Sequence, residues 1–359
     1  MKKKYNPEDY IYACARARAL ETGIVGGDHC ARLAELKSAA EFFRALEEYG
    51  IHTQIKPVEG DETVSEAAVL DDLEVALTDI LSDVFSIITQ IAPQPKLFDF
   101  FRYPYDCHNL KSALKSSLRG TEPDKLLFPF GSVDTAAAVA VASQREELAA
   151  QRLLPPHMAA ALGEAAELFS KTGDPQLIDV TLDRACYADM MDLAKTYGCE
   201  FFFRLAETKV DITNLLTAIR MLRMKGAHIN FGFFNRMSLE KSKLDENFFA
   251  PAFDTETDAA EQREEELIMR LRHTPYAPLA DMLLSARHRP SLTFVEKQCD
   301  DFYLDIVKSA KNVLYGPEPL GAYIVAREYE VRNLRIVAAG KLSGLRAETI
   351  KERLRSSYV

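Results

Sequence analysis

The sequence predicts an all-α protein built from three copies of one helical unit. Three observations carry that expectation. First, a core of the form acid-x-x-Asn-Leu occurs three times, as Asp106-Cys107-His108-Asn109-Leu110, Asp211-Ile212-Thr213-Asn214-Leu215 and Glu330-Val331-Arg332-Asn333-Leu334. Each runs on to a glycine, Gly120, Gly226 or Gly344, lying 11, 12 and 11 positions after its Asn. Second, an acid near the start of a long helical stretch precedes each core: Glu74, Asp179 and Glu296 stand 35, 35 and 37 positions before the Asn. Third, alternating β-branched runs are few, and Pro and Gly fall between helical periods rather than at hairpin positions. A few-helix repeat cannot bury its apolar faces alone, so each copy needs its neighbours. The copies divide the chain into residues 1–120, 121–226 and 227–359.

In the first copy, residues 10–21 follow a helical pattern, with Ala13, Ala17 and Leu20 on one face, and the stretch from Gly23 to Gly27 breaks it. Residues 28–49 form one or two further helices with Phe42, Phe43 and Leu46 as the apolar stripe, ending at Gly50. Residues 51–64 hold a turn at 57–61 and room for a short extended piece. A long amphipathic helix spans 67–91 and stops at Pro93 and Pro95, because proline has no N–H to donate and disfavours helix in the residue before it. An aromatic-rich stretch, 97–103, leads to the first motif helix at 106–118.

The second copy opens with an apolar connector at 125–131. An alanine-rich helix at 136–153 ends before Pro155 and Pro156, a helix covers 158–171, Gly173-Asp174-Pro175 turns the chain, and a second long helix spans 177–197. Phe201-Phe202-Phe203-Arg204 precedes the second motif as Phe100-Phe101-Arg102 precedes the first. In the third copy, residues 254–266 are acidic and read as a solvated face or loop, a short helix spans 276–286 before Pro290, and the third long helix spans 294–310. Last comes the stretch 315–354, where a proline turn opens a helical pattern that carries the third motif and is closed by Gly340 and Gly344.

Composition narrows the function. With 47% hydrophobic and 27% charged residues the chain can bury a core, and a net charge of −10 argues against general nucleic-acid binding, which depends on neutralising phosphates. No apolar run is long enough to span a bilayer, and no signal core follows Lys2-Lys3-Lys4, so the expected setting is the cytoplasm. Cys14, Cys30, Cys107, Cys186, Cys199 and Cys299 are scattered without a C-x-x-C pair and read as buried thiols rather than metal or redox centres.

Catalytic constellations are missing. Around Gly340-Lys341 a phosphate loop would need Gly where Arg335 stands and Ser or Thr where Leu342 stands. No zinc-protease, nucleophile-elbow, dinucleotide or calcium-loop pattern occurs, and His108 has no ligand partners at useful spacing. No catalytic, cofactor-binding or metal residue is assigned. The recurring Asn109, Asn214 and Asn333 admit two readings: contact with a partner, or a buried amide that bonds the backbone near a neighbouring helix end. Threefold recurrence favours the second, since a catalytic group is rarely needed three times. Asp106, Asp211 and Glu330 suit a helix N-terminus or an Arg partner. Bases follow each Asn: Lys111, Lys115 and Arg119; Arg220, Arg223 and Lys225; Arg335 and Lys341, with Arg332 just before Asn333. They are either ordinary surface charge or the lining of a surface for an acidic partner.

The stretches Tyr12-Ala13-Cys14-Ala15-Arg16-Ala17-Arg18-Ala19-Leu20-Glu21, Tyr105-Asp106-Cys107-His108-Asn109-Leu110-Lys111, and Gly316-Pro317-Glu318-Pro319 through to Asn333-Leu334-Arg335 resemble the C-type subunits of the bacterial and archaeal V/A-type ATPases (ATP synthases), the counterparts of the d-type subunits of eukaryotic V-ATPases. The likeness covers nearly the whole chain and is most specific at its C-terminal end; residues 125–168 match mainly by position. It implies an all-helical funnel of three similar units about a pseudo-threefold axis and no catalysis by this chain. It also implies a peripheral place on the cytoplasmic face of the membrane rotor ring, with the end of the central shaft received in the funnel and torque passed between them. No cofactor and no nucleic acid are expected. Arg220, Arg223, Arg332 and Arg335 are the candidates for lining the funnel or touching the shaft. A general cytoplasmic helical-repeat scaffold is the alternative.

Overall fold

The computed structural model describes residues 2–55, 57, 65–121, 127–144, 147–224, 230–241, 243–254, 260–285 and 291–359. Among these residues there are helices and no strands. The helices are α1 (Ile11–Glu21), α2 (Gly27–Glu35), α3 (Ala39–Glu48), α4 (Glu66–Ile91), α5 (Tyr103–Arg119), α6 (Thr135–Gln144), α7 (Glu147–Leu153), α8 (Pro156–Thr172) and α9 (Gln176–Tyr197). They continue with α10 (Glu200–Arg223), α11 (Phe231–Met237), α12 (Glu246–Phe249), α13 (Ala260–Leu271), α14 (Ala277–Leu284), α15 (Leu292–Lys308), α16 (Pro317–Leu342) and α17 (Ala347–Arg353). Short 3-10 helices occupy Pro7–Tyr10, Pro95–Phe101, Ala250–Phe253 and Ser309–Asn312.

Contacts divide the chain into two compact units, residues 1–5 with Lys96–Cys299, and Asn6–Pro95 with Asp300–Val359. In the second of these, α16 is the central element. It is buried on nearly every side, with Leu320, Ala322, Ile324, Leu334, Val337 and Ala338 wholly inside, and α1, α2, α3, α4 and α17 pack around it. Gly340 lets α17 approach, since a Cβ there would lie 2.6 Å from the Ile350 side chain. α4 lays a stripe of Val69, Leu73, Leu77, Leu81, Phe85 and Ile88 inward at near-fourfold spacing. Each such side chain contributes roughly 1.5–3 kcal/mol by burial. The helix stops at Ala92, whose backbone is extended before Pro93.

In the other unit, α8, α9, α5 and α10 pack side by side, with α6 against α5. Phe202 is the hub of an aromatic cluster, its ring centroid 4.9–5.7 Å from those of Phe98, Phe100 and Phe101. A second cluster joins Phe231, Phe234, Phe249 and Phe253.

Several sequence expectations shift. The alanine-rich stretch 136–153 is helical over 136–144 and 147–153, and residues 145–146 lie outside the described residues. Phe201-Phe202-Phe203 lies inside continuous α10, whereas its counterpart Phe100-Phe101 lies in a 3-10 helix before α5; Pro104, in the first turn of α5, makes the chain restart there. The α1 face is Ala13, Cys14 and Ala17, with Leu20 only half-buried. The third long helix runs from Leu292 to Lys308 and tightens into a 3-10 turn before Asn312. Helices α11 and α12, to which the sequence reading assigns nothing, lie in the stretch expected to open the third copy. The turn at 57–61 (Pro57 apart), Lys225, closing Gly226, acidic residues 255–259, the first two connector residues (125–126), and Ala286 with Pro290 lie outside the described residues. Closing Gly120 and Gly344 take the left-handed backbone conformation that ends helices, at φ 67° and 65°.

Candidate functional site

The three motif asparagines make the same contact. Asn109 donates from Nδ2 to the Phe128 carbonyl and accepts the Phe128 N–H at Oδ1, both at 2.9 Å. Asn214 holds Leu239 in the same way at 2.9 and 2.7 Å, and Asn333 holds Arg355 at 3.0 and 2.8 Å. Each amide thus satisfies both backbone groups of one residue in a non-helical segment, and all three amides are buried. An amide is the side chain that presents a donor and an acceptor side by side, which is what an extended peptide unit requires. The leucines beside them, Leu110, Leu215 and Leu334, are wholly buried.

The motif acids bind backbone N–H groups close to the clasped segments. Asp106 accepts from the N–H and hydroxyl of Ser132 at 3.0 and 2.5 Å and from the Val133 N–H at 3.1 Å. Asp211 accepts from Lys243 and Leu244 N–H at 2.9 and 3.0 Å, and from the Tyr276 hydroxyl. In both copies the residues gripped by the acid lie four and five positions after the one gripped by Asn, and an Asp six positions after it, Asp134 or Asp245, caps the next helix. Glu330 instead accepts the Val25 N–H at 2.6 Å and pairs with Arg327 at 2.8 Å. Burial raises the Asp106 carboxyl above its ordinary value, opposed by the Ser132 and Val133 donors and by Arg102. It pushes Glu330 up to about 7, against Arg327 and the Val25 N–H.

The candidate arginines are all engaged. Arg220 meets Glu296 at 2.6 Å, Arg332 meets Asp300 at 2.9 Å, and Arg335 grips Glu74 with Nε and Nη2 at 2.6–2.9 Å. Arg223 pairs with Glu264, whose side chain is 2% exposed. That Glu264 is buried departs from the solvated face expected of the acidic stretch. Lys115 meets Asp179 at 2.5 Å, and one turn earlier Lys111 meets Asp183 at 2.8 Å. The three acids that recur before the motifs are therefore each taken by a motif-helix base: Asp179 by Lys115, Glu296 by Arg220, Glu74 by Arg335. Lys115 and Arg220 stand six positions after their Asn and Arg335 two after its own, one helical turn apart and so on the same face. Lys341 donates to the Leu36 carbonyl, and Arg119 is exposed.

The clasped residues Phe128, Leu239 and Arg355 escape a sequence reading, because they lie 19, 25 and 22 positions from their asparagines. The available signal was the Asp six positions on, shared by the first two copies. Among the described residues, no three His, Cys, Asp or Glu are grouped to hold a metal ion, and no helix is long and apolar enough to cross a membrane. All six cysteines are buried and none forms a disulfide.

Residues 13–353 match the family described as ATP synthase (C/AC39) subunit. The C-type subunit of a V-type sodium ATPase from Enterococcus hirae is 24% identical over 80% of this chain and 83% of its own length. The C-type subunits of the A-type ATP synthases of Haloquadratum walsbyi and Thermococcus kodakarensis are each 25% identical over 97% of this chain, covering 97% and 90% of their own lengths. With the match running through all three clasp motifs, this chain belongs to the ATP synthase (C/AC39) subunit family.

Proposed function

We propose that this chain joins the central shaft of a V/A-type rotary ATPase to its membrane rotor ring, on the cytoplasmic face of the membrane. In this reading it passes torque between them and catalyses no reaction itself. The observation that carries the reading is the recurring tie: each marker acid holds the motif helix of the copy before it, the third copy's Arg335 turning to the first copy's Glu74. Three copies, residues 1–120, 121–226 and 227–359, joined in this order support a closed pseudo-threefold funnel. A body that transmits torque must resist shear between its parts, and paired charges with a clasped backbone oppose sliding where apolar packing alone does not.

Shaft contact falls to Arg220 and Arg332, whose side chains keep 50% and 41% exposure beside their acids. Arg223 and Arg335, at 16% and 36%, hold the helices that present them. The test is binding of the purified chain to the central-shaft subunits, read by size-exclusion chromatography with light scattering, followed by docking onto detergent-solubilised rotor ring. A one-to-one complex that docks is expected, and Arg220→Glu with Arg332→Glu should weaken shaft binding by about tenfold or more. A chain that ignores both shaft and ring at low and moderate salt is a general helical scaffold instead. Unchanged affinity in the double variant removes the two arginines from the shaft contact.

A further inference from the structure

The third copy departs from the other two in how its motif acid is used. Asp106 receives three hydrogen bonds and Asp211 at least three. Glu330 receives one, from the Val25 N–H, and its second oxygen faces Arg327 without a hydrogen bond among the described residues. Arg327 reaches the Gly23 carbonyl at 3.4 Å through Nη1, while its Nε is buried with no hydrogen-bond partner among those residues. Two neighbouring side chains of α16 thus hold both a donor and an acceptor of the turn between α1 and α2. The turn is buried at Ile24 and Val25.

We propose that Glu330 is a proton-controlled latch on the α1–α2 turn, the protonated acid holding it closed and the bare carboxylate allowing it to open. The physical reason is the cost of a buried charge with few donors. A carboxylate kept here is relieved when the turn lifts and water reaches it, whereas the neutral acid keeps the Val25 contact through its carbonyl oxygen without that cost. The groups facing Glu330 are Arg327 and Tyr323 on α16 and Cys30 on α2, with Arg16 and Glu21 of α1 beyond Tyr323. Of the charged groups only Arg327 counters burial appreciably, and Glu330 still rises to about 7 from its ordinary 4.5.

Hydrogen–deuterium exchange of the full chain from pH 5 to 8, corrected for intrinsic exchange, tests the latch. The opening equilibrium of the peptide covering residues 22–30 should increase about tenfold per pH unit up to about pH 7 and then level, as expected for one proton. The Arg355 amide, clasped on the same helix by neutral Asn333, serves as the internal comparison and should show no slope. Glu330→Gln keeps an acceptor for Val25 without the charge, and should hold the turn at its low-pH protection throughout. A wild-type turn with no slope, a slope of opposite sign, or a slope equal to that of Arg355 overturns the latch. So does a slope that survives in Glu330→Gln. The wild-type comparison stands by itself if that variant does not fold.

Discussion

Asn333 holds Arg355 by both backbone groups, its amide donating at 3.0 Å and accepting at 2.8 Å across 22 residues of chain. The clasp fixes the segment after α17 against α16, and a further bond from the Ser356 N–H to Asp301 continues the attachment. Because donor and acceptor are both used, no other short side chain reproduces it.

Asn214 is the cleanest place to measure this, since Leu239 is buried and both of its bonds lie inside one compact unit. Asn214→Ala should cost about 2–4 kcal/mol, two hydrogen bonds plus two stranded backbone groups. Asn214→Asp should cost nearly as much, because it presents an acceptor to the Leu239 carbonyl. Urea midpoints check both, and an Asp variant as stable as wild type would contradict the two-bond clasp.

Glu264 is 2% exposed and pairs with Arg223. Arg223→Met should destabilise, by up to roughly 3–5 kcal/mol as breaking a buried pair does, while Arg223→Met combined with Glu264→Leu should regain most of the loss. Thermal unfolding of the two variants separates an ion-pair role from a packing role.

Arg335 and Glu74 are each about a third exposed, at 36% and 34%, so their bidentate pair is worth only about 1 kcal/mol. Exchanging the two charges as Arg335→Glu with Glu74→Arg should be milder than either reversal alone. A double-mutant cycle in low and high salt reads the coupling, and salt should shrink it.

Gly198 has φ 67°, and a Cβ there would lie 2.0 Å from the Lys2 carbonyl oxygen. Gly198→Ala should therefore cost about 1–2 kcal/mol in backbone strain and more through the displaced segment at residues 2–4. Deleting residues 1–4 should remove the second part alone. Equal losses in the full and shortened chains would show that the close approach does not matter.

Burial lifts Asp99 from its ordinary 3.8 to about 6, with Arg102 opposing and Asp106 adding to the rise. In the folded chain Asp99 keeps its proton to higher pH than when unfolded, so its contribution to stability falls as pH rises from about 3.8 to about 6. Asp99→Asn should remove that part of the slope and should gain relative to wild type between pH 4 and 7. Denaturation midpoints across that range check the sign.

Much of the helix plan was legible because its signals are local. Pro93 and Pro95 stop α4, Gly120 closes α5, and the apolar stripe of α4 appears at its expected spacing. The helices α11 and α12 were not legible, since each is short and carries no long apolar period. The burial of Glu264 was also hidden, because an acidic run gives no sign that one member will meet Arg223 from another helix.

By itself the sequence determined that this is a helical protein of the ATP synthase (C/AC39) family, with one Asn-centred motif used three times and an acid standing ahead of each. The helices and the repeated motif follow from period, capping and repetition along the chain, and the family from the match over residues 13–353. Tertiary structure alone decided which backbone residue each Asn clasps and which base each acid holds, across 64, 76 and 261 positions for Lys115–Asp179, Arg220–Glu296 and Arg335–Glu74. Helical spacing tells which residues share a face. The facing partner is set by packing between distant helices, where a slide of one turn along the axis exchanges one base for the next.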